Sequence, residues 1–457
     1  MLRSNDTPVN SEYFSKAIEF FHEMRWLYSV PLTEILVCDS FEAFPEGWLN
    51  VLEKLDNQSL NHFVSEKIIP SDWPESLKNF VKKCREMDGL SESIPSVNVD
   101  IPKNFTRGLS GKKKHEIMHL SHLINEQCKN ENIHLIIDFG AGLGYVCQLL
   151  HYLYGYKVLG LEANEQNVKT ARIRQTKYYP ESLDHVKYAH CQLKSSSLPI
   201  IDAILQREFP RATSVCCVGL HACGDLSIYA SDIFSKMPIA RCLILVSCCY
   251  HKLSTLENSD SQRQYFTNFP ISSIFRNSIK KANMDVSTFL KIPFLRLACQ
   301  EPTDRWKDIS EESHSKHSFY ALARATLQLY ANQCGCILKK KARKGTRKSQ
   351  CLTIETYIRD SLSRYTFQHI EQESSSVNSD THFKRLLHLW EEQKSKLKTA
   401  EIYTGLQLML QGAAESLVLN DRFCWLNERN LLNSIVPVMN KSLSPRSHAL
   451  ISQRMII

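Results

Sequence analysis

Asp138-Phe139-Gly140-Ala141-Gly142-Leu143-Gly144 carries the densest chemistry in this 457-residue sequence. Glycines let a ligand approach the backbone, and the first turn of a helix offers N–H groups with no partner inside the helix. The apolar run Leu135-Ile136-Ile137 precedes the motif. Val146, Leu149, Leu150 and Leu153 follow it at the spacing of one helical face, and Gly155 supplies a stop. The glycines therefore fall on a strand-to-helix turn. A second short strand, Tyr156 to Leu161, ends in Glu162, where a carboxylate can accept both ribose hydroxyls of an adenosine cofactor. Asn164 then offers an N-cap for the next helix.

The order of these parts separates cofactors. Nicotinamide-binding turns usually read Gly-x-Gly-x-x-Gly. Here the acid stands ahead of the first glycine, as Asp-x-Gly-x-Gly-x-Gly. This resembles motif I of the S-adenosylmethionine-dependent methyltransferases built on a seven-stranded sheet. The resemblance implies that Asp138, Gly140, Ala141, Gly142 and Gly144 hold the amino-acid part of S-adenosylmethionine. It implies that Glu162, with Ala163 beside it, holds the ribose.

Two further strands, Ser214 to Val218 and Cys242 to Val246, should end near the cofactor, because open parallel sheets bind ligands beyond the carboxyl ends of their strands. The first runs into Gly219-Leu220-His221-Ala222-Cys223-Gly224-Asp225 and the second into Ser247-Cys248-Cys249-Tyr250-His251. His221 is the first candidate base, since imidazole titrates near neutrality, and His251 the second. Asp225 is a third catalytic candidate and can cap the helix carrying Leu226, Tyr229, Ala230 and Ile233. His221, Cys223, Cys248, Cys249 and His251 also suggest zinc, but their spacings match no common finger, so no metal is expected and the cysteines read as small apolar packing groups. His115-Glu116-Ile117-Met118-His119 matches the His-Glu-x-x-His protease pattern. The cofactor strand begins within about 15 residues, which leaves no space for a protease fold. His115 and Glu116 are instead expected on a helix lying over the cofactor.

Apolar strands alternating with amphipathic helices imply an α/β fold with a parallel sheet covered on both faces. The expected architecture is a Rossmann-like, seven-stranded class I methyltransferase sheet with a helical N-terminal region and a large, mostly helical insertion. Residues 1–102 form the helical N-terminal region and linker, with Phe14, Ala17, Ile18 and Phe21 on one stripe. Residues 103–252 form the core with strands one to five, the third over Val186 to His190. Residues 253–400 form the insertion, with a basic loop at 339–348. Residues 401–457 supply a helix and the two closing strands, Ser434 to Met439 and Ala449 to Ser452. The competing division closes the sheet before residue 330 and leaves a separate helical C-terminal domain.

Composition narrows the setting. The net charge is +8, but Lys339 to Lys348 holds seven positive residues and no acid, so the remainder carries 8 − 7 = +1. That run reads as a nuclear-import signal, a phosphate-binding arm or a solvated loop. No apolar stretch approaches the roughly 20 residues of a membrane span, and residues 1–6 show no signal-peptide pattern. Sixteen cysteines then fit reduced thiols in the cytoplasm or nucleus.

Gly111-Lys112-Lys113-Lys114-His115-Glu116, the glycine turn, His221-Ala222-Cys223-Gly224-Asp225-Leu226, Ser247-Cys248-Cys249-Tyr250-His251, Leu297-Ala298-Cys299-Gln300 and Leu443-Ser444-Pro445-Arg446 occur in the order found in the methyltransferase-like protein 25 family, which the chain resembles over most of its length. More distantly, the His-x-Cys-Gly and Cys-Cys-x-His motifs are similar to those of tRNA 2′-O-methyltransferases, with Tyr250 replacing one histidine of the latter. The chain lacks the Asn/Asp-Pro-Pro-Tyr motif of exocyclic-amine methylases. These resemblances imply methyl transfer from S-adenosylmethionine, with RNA the favoured acceptor and a protein the alternative, as substrate or partner. A non-catalytic scaffold that keeps the fold is the competing class, and a scaffold has no physical need for both the Asp138–Gly144 turn and Glu162.

Overall fold

The computed structural model describes residues 10–90, 94, 97, 101–106, 108–257, 262–341, 345–347, 351–369 and 379–454, and at 103 and 104 the backbone only. The chain divides into two compact units. The first contains residues 1–21, 85–302 and 412–457, and the second residues 22–84 and 303–411.

The first unit is built on a seven-stranded sheet. Its strands are β1 (Leu135–Phe139), β2 (Lys157–Glu162), β3 (Val186–His190), β4 (Val215–Cys223) and β5 (Ala240–Cys248), followed after the second unit's β6 (Cys336–Lys340) and β7 (Tyr365–His369) by β8 (Leu431–Pro437) and β9 (His448–Arg454). The order across the sheet is β3-β2-β1-β4-β5-β9-β8. β1 to β5 pair in parallel, and β9 is antiparallel to both β5 and β8. The order reverses between β1 and β4, and such a switch point opens a crevice at the carboxyl ends of the strands. Every residue of β1 is buried, which is why its apolar run shows no alternation.

The sheet is the one expected, closing hairpin included. β4 and β5 reach five and two residues beyond the apolar runs that marked them, through His221-Ala222-Cys223 and Ser247-Cys248. The N-terminal helix Ser11–Glu23 buries Phe14, Ala17, Ile18 and Phe21 as its spacing dictates. Phe14 stacks on Phe275 with 4.6 Å between ring centroids, and Phe21 meets Phe294 edge-on.

The second unit is mostly helical. Tyr403 gathers Trp26, Phe41 and Phe44 around its ring. His314, fully buried, bridges Glu401 and Asn61 through its two ring nitrogens. The antiparallel pair β6–β7 departs from the helical and irregular expectation for this stretch. It takes up Lys339 and Lys340, so the basic run begins as a strand and not as a loop. Arg347 is held by Asp360 through its backbone N–H and guanidinium, and residues 342–344 and 348 of the run lie outside the described residues. So do most of the proline- and serine-rich linker and the serine-rich 373–376. No helix among the described residues is long and apolar enough to cross a membrane.

Candidate active site

The glycine turn sits where β1 passes into the helix Tyr145–Tyr154. Gly140, Gly142 and Gly144 all lie at positive φ, between +58° and +85°. They differ in what surrounds them. A Cβ on Gly144 would come within 2.1 Å of the Tyr188 hydroxyl, and one on Gly160 within 2.8 Å of the same ring. Those two glycines admit Tyr188 beneath the turn, where its hydroxyl accepts a bond from Gln148 Nε2 (3.0 Å). A Cβ on Gly142 would meet nothing within 4 Å. The open side of the turn is therefore at Gly142.

Glu162, at the end of β2, folds back over that opening. Its Oε2 accepts from the Gly142 N–H (2.9 Å), and its Oε1 accepts from the Asn164 N–H (2.9 Å). A carboxylate offers about four lone-pair sites, so acceptor capacity remains for hydroxyl donors. Asn164 caps the following helix as expected, and Ala163 presents its carbonyl to His190 Nε2 at 2.9 Å. Gly140 and Ala141 are tied to the Leu161 carbonyl at 2.8 and 3.0 Å, which locks the turn to β2. Asp138 is buried beneath the turn and accepts from the Cys147 thiol (3.2 Å). Burial pushes its carboxyl up to about 6, against the pull of Cys147 and of the Lys113 ammonium.

The helix Gly111–Asn130 brings Glu116 to the end of β4. There a bulge between Leu220 and Ala222 puts His221 at φ +60°, and its Nε2 lies 3.0 Å from Glu116 Oε2. Burial favours the neutral acid, but the bonds from His221 and Ser444 and the charge of Lys113 hold Glu116 below the usual carboxylate range. An ionised carboxylate only accepts, so Nε2 carries the proton and Nδ1 is the free lone pair of the neutral ring. The His221 side chain is 32% exposed, enough to meet a ligand.

The other expected residues are engaged differently. His115 Nε2 accepts from the Asn440 N–H (2.9 Å), and its ring packs against His119 at 4.0 Å. Glu116 between them is bonded to His221 and Ser444, so it is drawn away from the general-base position the protease pattern would give it. Asp225 does not cap its helix, contrary to expectation, because its backbone is helical and its side chain points elsewhere. Both its oxygens are taken, by the Ser254 N–H and hydroxyl and by Asn268 Nδ2. His251 lies in the short turn Tyr250–Lys252, with Nδ1 buried and unpartnered; burial and the charges of Arg296 and Lys252 lower its pKa.

That turn is anchored from behind. Tyr250 is buried and donates to Glu415 Oε1 (3.1 Å), which also pairs with Arg446 at 2.6 Å. Arg446 donates to the carbonyls of Ala298 and Gln300, and Cys299 Sγ accepts from the Tyr250 N–H (3.0 Å). The Cys-Cys-Tyr-His, Leu-Ala-Cys-Gln and Leu-Ser-Pro-Arg motifs, 49 to 196 residues apart in sequence, thus form one support.

Lys113 was hidden in a run of three lysines. Its burial lowers its pKa, while Glu116, Asp138 and Cys248 act on it in the opposite direction. Its ammonium has no hydrogen-bond or ion-pair partner among the described residues, so it is available to an anionic ligand group. A cavity of about 460 Å³ opens at the amino ends of the strands, beside His134, Lys157 and Ser214. It lies at the opposite end of the sheet from the glycine turn, where open α/β sheets do not place their ligands.

The sheet order and the Asp138–Gly144–Glu162 cradle define a class I methyltransferase fold. Residues 112–256 match the family model Methyltransf_32, a methyltransferase domain. The chain is 27% identical over 241 residues to the Homo sapiens protein named "Probable methyltransferase-like protein 25", covering 51% of this chain and 36% of that protein, and 25% identical over 240 residues to its Mus musculus counterpart, with the same coverage. Over this domain the chain is similar to the methyltransferase-like protein 25 family. The match spans little more than a third of the length of these relatives. Among solved structures, similarity is found to the N-terminal domain of human METTL16 in complex with SAH (16% identity, 45% of this chain and 85% of that chain, TM-score 0.22). It is also found to the plantazolicin methyltransferase BpumL in complex with SAH (10% identity, 92% and 100%, TM-score 0.20).

Proposed function

We propose that this chain is an S-adenosylmethionine-dependent methyltransferase acting on RNA. The observation that carries the cofactor is the glycine turn, open at Gly142 with Glu162 bonded across it and Asp138 buried beneath it. In this reading Glu162 accepts the ribose hydroxyls, Asp138 faces the amino group of the methionine part, and Lys113 faces its carboxylate. When bound, S-adenosylmethionine supplies a methyl already activated on a sulfonium sulfur. The chain's own task is then mainly alignment of the acceptor, an effect worth roughly 7–11 kcal/mol in well-oriented systems. His221 can take an acceptor proton on Nδ1, with Glu116 orienting the ring and stabilising the imidazolium. RNA is favoured by the exposed ammonium groups of Lys339, Lys340 and Lys341 and by the motif similarity to tRNA enzymes.

The test is calorimetric titration with S-adenosylmethionine and S-adenosylhomocysteine, followed by transfer of labelled methyl into RNA and protein pools. Glu162→Ala removes charged hydrogen bonds worth roughly 1.5–3 kcal/mol, so affinity should fall by about ten- to a hundredfold. Unchanged affinity in that variant sinks the ribose assignment, and label in protein alone replaces RNA as the acceptor.

A further inference from the structure

Cys223, Cys248 and Cys249 bring three thiols together at the carboxyl ends of β4 and β5, all within 4.8 Å of one another. Cys223 and Cys248 are cross-strand partners with sulfurs 2.9 Å apart, and the sulfurs of Cys248 and Cys249 are 3.6 Å apart. Neighbouring residues of a strand point to opposite faces. Cys249 joins Cys248 on one side only because its backbone turns into the left-handed region, at φ +48° and ψ +46°. That conformation strains a residue with a Cβ, and glycine would adopt it freely. Tyr250, held by Glu415, and Cys299, bonded to the Tyr250 N–H, fix the turn in this shape.

We propose that these three cysteines form a thiolate site for a zinc-type divalent ion. Tetrahedral zinc with Zn–S bonds of about 2.3 Å separates its sulfurs by about 3.8 Å. Two of the sulfur pairs stand at 2.9 and 3.6 Å and the third within 4.8 Å, so closure around an ion needs side-chain movements of about 1 Å or less. Cys223 and Cys249 are half-buried, which leaves an entry path. Three thiolates on a divalent ion carry one net negative charge. Lys252, which acts on Cys223 and Cys249, and Lys113, which interacts with Cys248, offset it. Among the described residues no fourth His, Cys, Asp or Glu joins the group, and three protein ligands with one open position is the arrangement of reactive zinc centres. A disulfide between Cys223 and Cys248 would use two of the thiols and give no reason for the strained turn that brings in the third.

The experiment uses the full chain, purified with reductant and without chelator. Its metal content is measured first, and the apo form is then titrated with Co²⁺. The expected result is one equivalent of ion, with intense thiolate-to-cobalt charge transfer and the strong visible bands of tetrahedral Co²⁺. Cys223→Ser and Cys249→Ser should each weaken Co²⁺ binding by at least about tenfold, while Cys38→Ser, on the surface, leaves it unchanged. The wild-type titration stands even if a variant fails to fold. Absence of the thiolate bands from reduced, folded wild-type protein overturns the site, as does Cys249→Ser binding like wild type. Cofactor binding is read separately by S-adenosylhomocysteine titration, so failure here and failure of the methyltransferase reading are distinguishable.

Discussion

Replacing Gly142 with valine isolates ligand approach from protein packing. Gly142 has φ +58°, and a Cβ there would touch no protein atom within 4 Å. The cost to the fold is backbone strain alone, about 1–2 kcal/mol for a residue with a Cβ in the left-handed region and somewhat more for a branched one. In a domain of this size that lowers Tm by roughly 2–8 °C. The cost to the cofactor is different in kind, because the isopropyl group occupies the space through which a ligand reaches the turn. Gly155 supplies the control: it has φ +73°, equally open surroundings, and a place at the far end of the following helix. Gly155→Val should therefore show a similar fall in Tm with S-adenosylhomocysteine affinity retained, and Gly142→Val the same fall with affinity lost. Differential scanning calorimetry and isothermal titration on the same preparations give both quantities. Full affinity in Gly142→Val, or equal loss in both variants, refutes the assignment of this turn to the cofactor.

Two further outcomes follow from charge. Burial raises Asp138 to about 6, so folding takes up a proton there, and the stability this confers is present at low pH and lost as pH rises through about 6. Asp421 is raised to a similar value, so the contribution of Asp138 is the difference between wild type and Asp138→Asn in urea unfolding at pH 4.5 and 7.5, where the variant should gain relative stability at the higher pH; a pH-independent difference contradicts it. If Asp138 faces the cofactor's ammonium as proposed, cofactor affinity should run the other way, weakening in wild type below about pH 6 as that carboxylate is neutralised. If RNA binds through the exposed lysines of β6 and its continuation, Lys339→Gln with Lys340→Gln and Lys341→Gln should lower the slope of log affinity against log salt by about 2, at roughly 0.7 per phosphate contact on a single strand. An unchanged slope in filter-binding assays removes these residues from the interface.

The sheet was legible because buried parallel strands announce themselves as uninterrupted apolar runs. Val186–His190 matches its expected bounds to the residue. β4 and β5 were legible only in their apolar halves, because their last residues are histidine, cysteine and serine, which no hydrophobic pattern marks as strand. The cradle was readable for the same local reason: Asp138, the glycines and Glu162 lie within 25 residues on two adjacent strands. The His221–Glu116 pair spans 105 residues and joins a helix to a bulge, so the sequence shows two plausible residues and nothing that couples them. Lys113 could not be told from Lys112 and Lys114, since only the helix's rotation against the sheet turns one amine inward. β6 and β7 escaped notice because they form a small two-stranded sheet with alternating exposure, and the lysines of β6 read as a charge block.

The carboxyl ends of β4 and β5 each carry a non-glycine residue in left-handed backbone, His221 at the bulge within β4 and Cys249 directly after β5. Backbone conformation alone would select glycine at either position, since glycine removes about 1–2 kcal/mol of strain. The turns that impose the strain are themselves held by buried groups: Glu116 and Ser444 behind His221, Tyr250, Glu415 and Arg446 behind Cys249. Strain that the surroundings over-determine in this way gathers at reactive sites, because it fixes the direction of a side chain that would otherwise rotate freely. The two side chains so fixed are an imidazole and a thiol, at the lip of the sheet where the cofactor turn opens. The fold is thus strained where chemistry is expected and relaxed elsewhere on β4 and β5. That contrast weighs against a scaffold, which has no use for a directed imidazole or for three converging thiols.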